Sequence, residues 1–174
     1  FETVNSYGVD LSVADLIKNQ IFKNLTSNLL KAEKKWNDIL HNIDSDSISL
    51  SMKEFLRYYW ASKYKYVSDS RLYKAIKTEI GNNKSRWDEL LDELLKNSIL
   101  LTDIVSSSKE EWQNKFRKDE GAKIYKHMRA LQSVKGKTWM VLALSIFRNE
   151  DDIIEFKLKL HNHIEKLQEF TYFY

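Results

Sequence analysis

The stretch of sequence that decides the fold is residues 85–95, which read SRWDELLDELL. Its apolar side chains recur at the i, i+3, i+4 spacing that places them on one face of an α-helix. These side chains are Trp87, Leu90, Leu91, Leu94 and Leu95. Ser85 and Asp88 have the spacing of a capping box, in which a hydroxyl and an acid three residues later bond the free amides of a helix start. The stretch therefore predicts an amphipathic helix beginning at Ser85.

The same capping spacing predicts four other helix starts along the chain. The pairs are Ser12 with Asp15, Ser51 with Glu54, Ser108 with Glu111, and Asn149 with Asp152. Helical periodicity alone predicts helices over about 27–42, 72–80, 124–134 and 138–147. No firm helix breaker separates the first helix from the one over 27–42, so two helices and one bent helix both stay open.

Residues that interrupt helices are scarce. The chain has no proline and only 4 glycines, and both residue types disfavour helix interiors. Each glycine falls where a helix is expected to stop or turn: Gly8, Gly81, Gly121 and Gly136. No segment has the sustained apolar–polar alternation of a strand. We predict an all-α fold, a bundle or array of about eight helices, forming a single domain over residues 1–174 with a loop at 1–11 that leads into the helices.

Composition excludes several classes of protein. The chain has no cysteine, which rules out disulfides, zinc–thiolate sites and cysteine nucleophiles. Its formal net charge is only +3, so it neither requires nor excludes nucleic acid. No apolar run approaches the roughly 18 residues that span a bilayer, and no basic segment followed by an apolar run stands at the start, so we expect no secretory leader. We expect a cytoplasmic protein without a membrane partner, and the aromatic run at 170–174 together with the start at Phe1 favours a fragment of a longer chain.

Motifs with catalytic chemistry are absent from the sequence. It has no P-loop, GxGxxG or GxSxG motif. His161 and His163 are two residues apart in a predicted helix, so they point to nearly opposite faces and cannot share a metal ion. The acid-x-lysine pattern at 155–157 lies in the same helix, whereas nucleases place it on a strand. We predict no catalytic residue and no metal site, although an active site built from distant residues such as Asp103, Glu120 and His127 stays open.

Residues 57–66, RYYWASKYKY, interleave aromatic and basic side chains. Aromatic faces can stack on bases while cations hold phosphates. The candidate cations for this nucleic-acid contact are Arg57, Lys63 and Lys65. The alternative, which we favour, is an amphipathic helix that packs Tyr59 and Trp60 inward and leaves the cations in solvent.

The opening residues 1–19, FETVNSYGVDLSVADLIKN, match the pattern F-x-x-x-N-x-x-G-x-x-L-x-x-x-D-L-x-K-N. That pattern resembles the GmrS-type domain, the ParB/sulfiredoxin-like N-terminal half of GmrSD modification-dependent restriction enzymes and related phage-defence proteins. Weaker similarities follow at Trp36, at 55–60, at 71–76 and at 164–167. Ser6 departs from the pattern, because Thr or Arg is more usual there.

The resemblance implies a nucleotide site. In the family an earlier segment carries a D-G-Q-Q-R motif that works on nucleoside triphosphate, and the F-x-x-x-N-x-x-G motif is the second element of that site. An HNH nuclease domain often follows the helical region. This sequence contains neither the D-G-Q-Q-R motif nor an HNH constellation. By resemblance, the nucleotide-binding residues are Asn5, Ser6, Gly8 and Lys18.

The chemistry of these residues agrees with a loop-then-helix contact to phosphate or base. Gly8 allows close approach of the backbone to a ligand, the Asn5 amide both donates and accepts, and a helix starting at Ser12 presents amides at its N-terminus. The alternative is a turn before a capped helix, with Asp15 acting only as the cap acid and Lys18 as a solvated charge.

Two functions follow as expectations. The first is the helical portion of a phage-defence, NTP-dependent, DNA-modification-directed restriction protein, inactive as a fragment and contributing one edge of a nucleotide site. The resemblance then implies NTP and Mg²⁺ as cofactors of the parent protein but none of the fragment. It implies as partners a D-G-Q-Q-R-type domain, an HNH domain and, as a candidate, DNA. The second is a helical protein–protein interaction module without catalysis, and the residues preceding Phe1 would discriminate between the two.

Overall fold

The computed structural model describes residues 12–26, 28–116, 118–133 and 136–148. This part of the chain is about 80% helical and contains eight helices and no strand, which confirms the predicted all-α fold. The helices are α1 (Val13–Asn24), α2 (Leu29–Ile43), α3 (Met52–Lys63), α4 (Asp69–Ile80), α5 (Lys84–Ser106), α6 (Lys109–Lys115), α7 (Lys118–Ser133) and α8 (Trp139–Phe147). The predicted loop 1–11 and the helix predicted from Asn149 lie outside the described residues.

The chain forms two compact units, Phe1–Ile99 and Leu100–Tyr174. The division falls inside helix α5, so no loop, linker or shift in composition marks it in the sequence. None of the helices in the described ranges is both long enough and apolar enough to cross a membrane.

Three predicted capping boxes are present, at Ser12, Ser51 and Ser108. At Ser51, for example, the backbone N–H donates to the Glu54 carboxylate at 2.9 Å, and the Glu54 N–H donates to the Ser51 hydroxyl at 3.3 Å. Each box satisfies amides that would otherwise lack a partner in the first turn. Helices α1, α3 and α6 therefore begin where the sequence predicts.

The predicted box at Ser85 is wrong. Helix α5 begins one residue earlier, and the Ser85 N–H donates to the side-chain oxygen of Asn83 at 3.0 Å. Asparagine is as good a cap as serine, and here it lies two residues upstream. The Asp88 carboxylate is used elsewhere, accepting the backbone N–H of Thr26 at 3.0 Å.

Helices α1 and α2 are separate, so the alternative of one bent helix is wrong. Leu25 leaves the helix with a ψ of 135°. The Asn28 side chain then accepts from the N–H groups of Leu30 and Lys31, at 2.9 and 3.4 Å, and starts α2. Two other helices begin earlier than predicted, α4 at Asp69 and α7 at Lys118.

The glycines serve two different purposes. Gly81 ends α4 with a φ of +67°, and Gly136 has a φ of +98° before α8, so both lie in the left-handed region that glycine tolerates best. Gly121 is different, because it is buried within the first turn of α7. A Cβ there would lie 2.6 Å from the Cα of Gln113 and would overlap the backbone of Trp112 in α6. The expectation that a helix stops at Gly121 is therefore wrong: this glycine permits close packing of two helices.

In the first unit, the beginning of α5 is a centre of packing. Its apolar face is buried at Trp87, Leu90, Leu91 and Leu94, while Leu95 is only half-buried. On α5, Asp88 bonds Thr26, Asp92 forms an ion pair with Lys35, and Ser98 accepts a hydrogen bond from Asn42 at 3.0 Å. The residue numbers of the two partners increase together along this series of contacts. Helices α2 and α5 therefore run in the same direction.

The second unit has its own small aromatic core. Trp112 of α6 lies 5.7 Å from Phe116 and 5.4 Å from Phe147 of α8, measured between ring centroids. Ile104, Ile124, Met128 and Ala143 complete the buried cluster. Aromatic pairs at these separations add stabilisation beyond the area that they bury.

Candidate functional site

Of the motif at residues 1–19, the structure describes the part from Ser12 onward, which forms the start of α1. The Ser12 hydroxyl donates to the Asp15 carboxylate at 2.6 Å and accepts from the Asp15 N–H at 3.2 Å. This box uses one of the amides expected to face a ligand and places a carboxylate at the helix N-terminus. An anionic ligand at this end would therefore meet the negative charge of Asp15 as well as the favourable end of the helix dipole.

Lys18 lies one turn further along α1 and is half-buried. Its Nζ lies 5.5 Å from the ring centre of Phe22 and 5.9 Å from that of Trp36 on α2. These two rings contact each other edge to face, with centroids 6.4 Å apart. Lys18 forms no ion pair with any residue that the structure describes, so its ammonium rests on aromatic faces. Asn5, Ser6 and Gly8 lie outside the described residues.

In the 57–66 segment, Arg57 already has a counter-ion. Its guanidinium lies 3.2 Å from Asp69, and the ammonium of Lys53 lies 2.9 Å from the same carboxylate. The hydrogen bond from Lys53 lowers the pKa of Asp69 below its ordinary value of 3.8; partial burial opposes this shift, and the charge of Arg57 adds to it. Arg57 therefore lies in a three-residue ion cluster between α3 and α4.

Lys63 is also engaged, since its ammonium lies 2.5 Å from Glu93 of α5. The Tyr59 hydroxyl donates to the same carboxylate. The exposed fractions of Tyr59 and Trp60 are 1% and 5%, as the packing alternative expects. Lys65 lies exposed after the end of α3. Of the three cations proposed for nucleic-acid contact, Arg57 and Lys63 thus form ion pairs, and Lys65 forms none with the residues that the structure describes.

Asp103, Glu120 and His127 do not form a compact group around one point. Asp103 is exposed on α5 and lies 3.4 Å from the ammonium of Lys115. Glu120 and His127 are both half-buried on α7, seven residues apart, which corresponds to about 10 Å along the axis. Within the described ranges, no group of three or more His, Asp or Glu side chains could hold a metal ion. His161, His163 and residues 155–157 lie outside those ranges.

A hollow of about 440 Å³ lies at the turn between α2 and α3. Its lining residues are Leu40, His41, Ile43, Asp44, Ser45, Leu50, Ser51 and Met52. None of the residues predicted to bind nucleotide or nucleic acid lines it.

The counter-ions Asp69 and Glu93 are the residues that sequence reasoning missed. They are 12 and 30 positions away from the cations with which they pair, so no local sequence motif indicates these ion pairs. Comparison with protein families, with characterised proteins and with solved structures finds no match to this chain.

Proposed function

We propose that this chain is the helical portion of a phage-defence restriction protein that is NTP-dependent and directed by DNA modification, and that it contributes one edge of the nucleotide site. In this proposal the parent protein works in the cytoplasm. A D-G-Q-Q-R-type domain supplies the rest of the nucleotide site, and an HNH domain is the expected nuclease.

The observation that carries the proposal is the motif at residues 1–19. Its second half, from Ser12 to Asn19, lies in and immediately before a capped helix. A motif that ends in the first two turns of a capped helix suits a ligand that is bound partly by backbone and partly by the side chains of those turns.

Lys18 gives the proposal its strongest support among the described residues. The Lys18 ammonium lies near two aromatic rings and has no carboxylate partner among the described residues, so it is available to pair with a phosphate. Lys18 would contribute charge to the site, and Asn5 would contribute directional hydrogen bonds. Mg²⁺ would supply charge neutralisation at the phosphates. In this proposal, the ligands of Mg²⁺ belong to the D-G-Q-Q-R-type domain.

Two exposed leucines favour the second candidate function, a protein-interaction module. Leu29 and Leu30 begin α2 with exposed fractions of 51% and 73%. Adjacent exposed leucines are less common than single ones and can mark a contact with another protein. We rank this candidate second, because it leaves the motif at 1–19 and the cation at Lys18 without a role.

We expect Asn5→Ala in the full-length protein to weaken ATP or GTP binding by about tenfold or more, because the amide both donates to and accepts from the ligand. The measurement is calorimetric titration with each nucleotide, followed by turnover. Asn37→Ala is the matched control, since it removes the same side chain from an exposed position of α2 outside the motif. Unchanged affinity and unchanged turnover in the Asn5 variant would contradict the proposal.

A further inference from the structure

One face of helix α4 carries three exposed basic side chains. Arg71, Lys74 and Lys77 are three residues apart and are all exposed. Positions three apart differ by about 60° around a helix, so the three cations form one stripe that rises about 9 Å along the axis. The apolar side of the helix is packed away, with Leu72, Ile76 and Ile80 buried.

The charges on this stripe are not compensated within the described residues. None of the three cations forms an ion pair there, and the ammonium of Lys77 lies only near the Tyr73 ring, at 5.7 Å. The two acids of α4 are engaged elsewhere. Asp69 holds Lys53 and Arg57, and Glu79 lies 3.3 Å from Arg86. The stripe therefore carries a local charge of about +3.

Other cations of this unit differ from the stripe. Lys35, Lys53, Arg57, Lys63 and Arg86 each form an ion pair. On α2, the exposed Lys31 and Lys34 are interspersed with the exposed acids Glu33 and Asp38. The remaining exposed cations stand apart from one another: Lys23 on α1, Lys65 after α3, and Lys84 and Lys96 twelve positions apart on α5. Within the described part of the unit, the α4 stripe thus has the most concentrated uncompensated charge on one helix face.

We propose that the Arg71–Lys74–Lys77 face of α4 binds the phosphate backbone of duplex DNA. The choice of DNA rests on the proposed function, in which DNA is the substrate. Charge complementarity supports it independently, since duplex DNA carries about one negative charge per 1.7 Å of its axis. Exposed Thr78 adds a hydroxyl of the kind that donates to phosphate oxygens.

An anionic membrane is the other polyanion that could attract this stripe. A helix that lies in a membrane interface buries its apolar face in the lipid, but the apolar face of α4 is packed within the protein. The proposal assigns contacts with phosphate to this face, and recognition of a modified base would belong to another part of the parent protein.

The test is fluorescence anisotropy of a labelled duplex of mixed sequence, titrated with the full 174-residue chain over a range of salt concentrations. We compare the wild type with the α4 variant Arg71→Gln/Lys74→Gln/Lys77→Gln. Glutamine keeps helix propensity while removing charge. We expect the α4 variant to bind about tenfold more weakly or worse and its log–log salt slope to fall by about three.

The control variant Lys23→Gln/Lys31→Gln/Lys34→Gln removes the same net charge from exposed positions of α1 and α2. We expect it to change affinity by less than about twofold, because it leaves the stripe intact. Circular dichroism checks that both variants are folded. If the α4 triple variant does not fold, the single variants replace it, and each is expected to lower the slope by about one.

Three results would overturn the inference: equal losses in the two triple variants, no binding of the wild type to DNA at low salt, or binding to phosphatidylserine vesicles but not to DNA. None of these results would bear on the nucleotide site, which the Asn5→Ala experiment tests separately. Conversely, unchanged nucleotide binding in the Asn5 variant would contradict the proposed function without affecting the measurement of DNA binding by α4.

Discussion

Asp69 is the counter-ion of two neighbouring cations, Lys53 and Arg57. Its carboxylate lies 2.9 Å from Lys53 and 3.2 Å from Arg57, and its side chain is still 39% exposed. Arg57 alone would be a cation ready to meet a phosphate, but beside Asp69 and Lys53 it belongs to an ion cluster that joins α3 to α4. An exposed cluster of this kind contributes little stability, and salt screens it further.

The stability that Asp69 contributes should depend on pH. Its pKa is lowered in the folded protein, chiefly by the hydrogen bond from Lys53. The contribution is therefore fully present above the ordinary pKa of 3.8 and is lost as pH falls through the lowered value. We expect Asp69→Asn to reduce the free energy of unfolding at neutral pH by less than about 1 kcal/mol, and this deficit to vanish in acid.

Chemical denaturation at a series of pH values from neutral to acidic measures this effect. Asp46→Asn is the matched control, since Asp46 is an exposed loop acid without an ion pair among the described residues. A deficit in the Asp69 variant that stays constant from neutral to acidic pH would count against the assigned ion cluster.

The sequence identifies these cations but not their partners. Arg57 and Lys63 are conspicuous in RYYWASKYKY, yet their counter-ions lie 12 and 30 residues later. An ion pair between helices is set by tertiary packing, which no local pattern encodes. The inward packing of Tyr59 and Trp60 was predictable because helical periodicity is a local property.

At the scale of the helix, starts are the most predictable feature. A capping box involves residues only three positions apart, so Ser12, Ser51 and Ser108 reveal their helices directly. The prediction fails at Ser85 because Asn83 competes for the same role and captures the Ser85 N–H. Two cap-forming residues only two positions apart cannot be ranked without knowing what else each side chain bonds.

Gly121 shows why a glycine inside a helix can be misread. Sequence reasoning treats it as a helix stop, but it lies in α7 with the backbone of α6 against the position where a Cβ would be. Glycine occurs both in turns and where two backbones approach closely, so the sequence alone does not distinguish these roles. The close approach of α6 and α7 is visible only in the structure.

We expect Gly121→Ala to destabilise the chain by about 1–3 kcal/mol, the usual result of forcing an extra methyl group into a packed contact. The alanine would otherwise favour the helix, so the sign of the change reports the contact itself. Thermal unfolding followed by circular dichroism measures it. Lys123→Ala, at an exposed position two residues further along α7, is the control and should be nearly neutral. A stabilised Gly121 variant would contradict the packing of α6 against α7.

At the scale of the whole molecule, the chain consists of two compact helical units with α5 running from one into the other. The sequence predicts the helical class well, because the scarcity of glycine and proline acts along the entire chain. It does not reveal the division into units, because α5 continues through it without a break.

The central claim is that this chain contributes an edge of a nucleotide site and does not carry out catalysis by itself. The most direct measurement assays the purified chain and the full-length protein side by side, with ATP, GTP, Mg²⁺ and both plain and modified plasmid DNA. We predict nucleotide hydrolysis and cleavage of modified DNA by the full-length protein, and neither by the chain alone. Turnover by the chain clearly above buffer, abolished by one substitution such as His127→Ala, would contradict the claim and make the chain itself an enzyme.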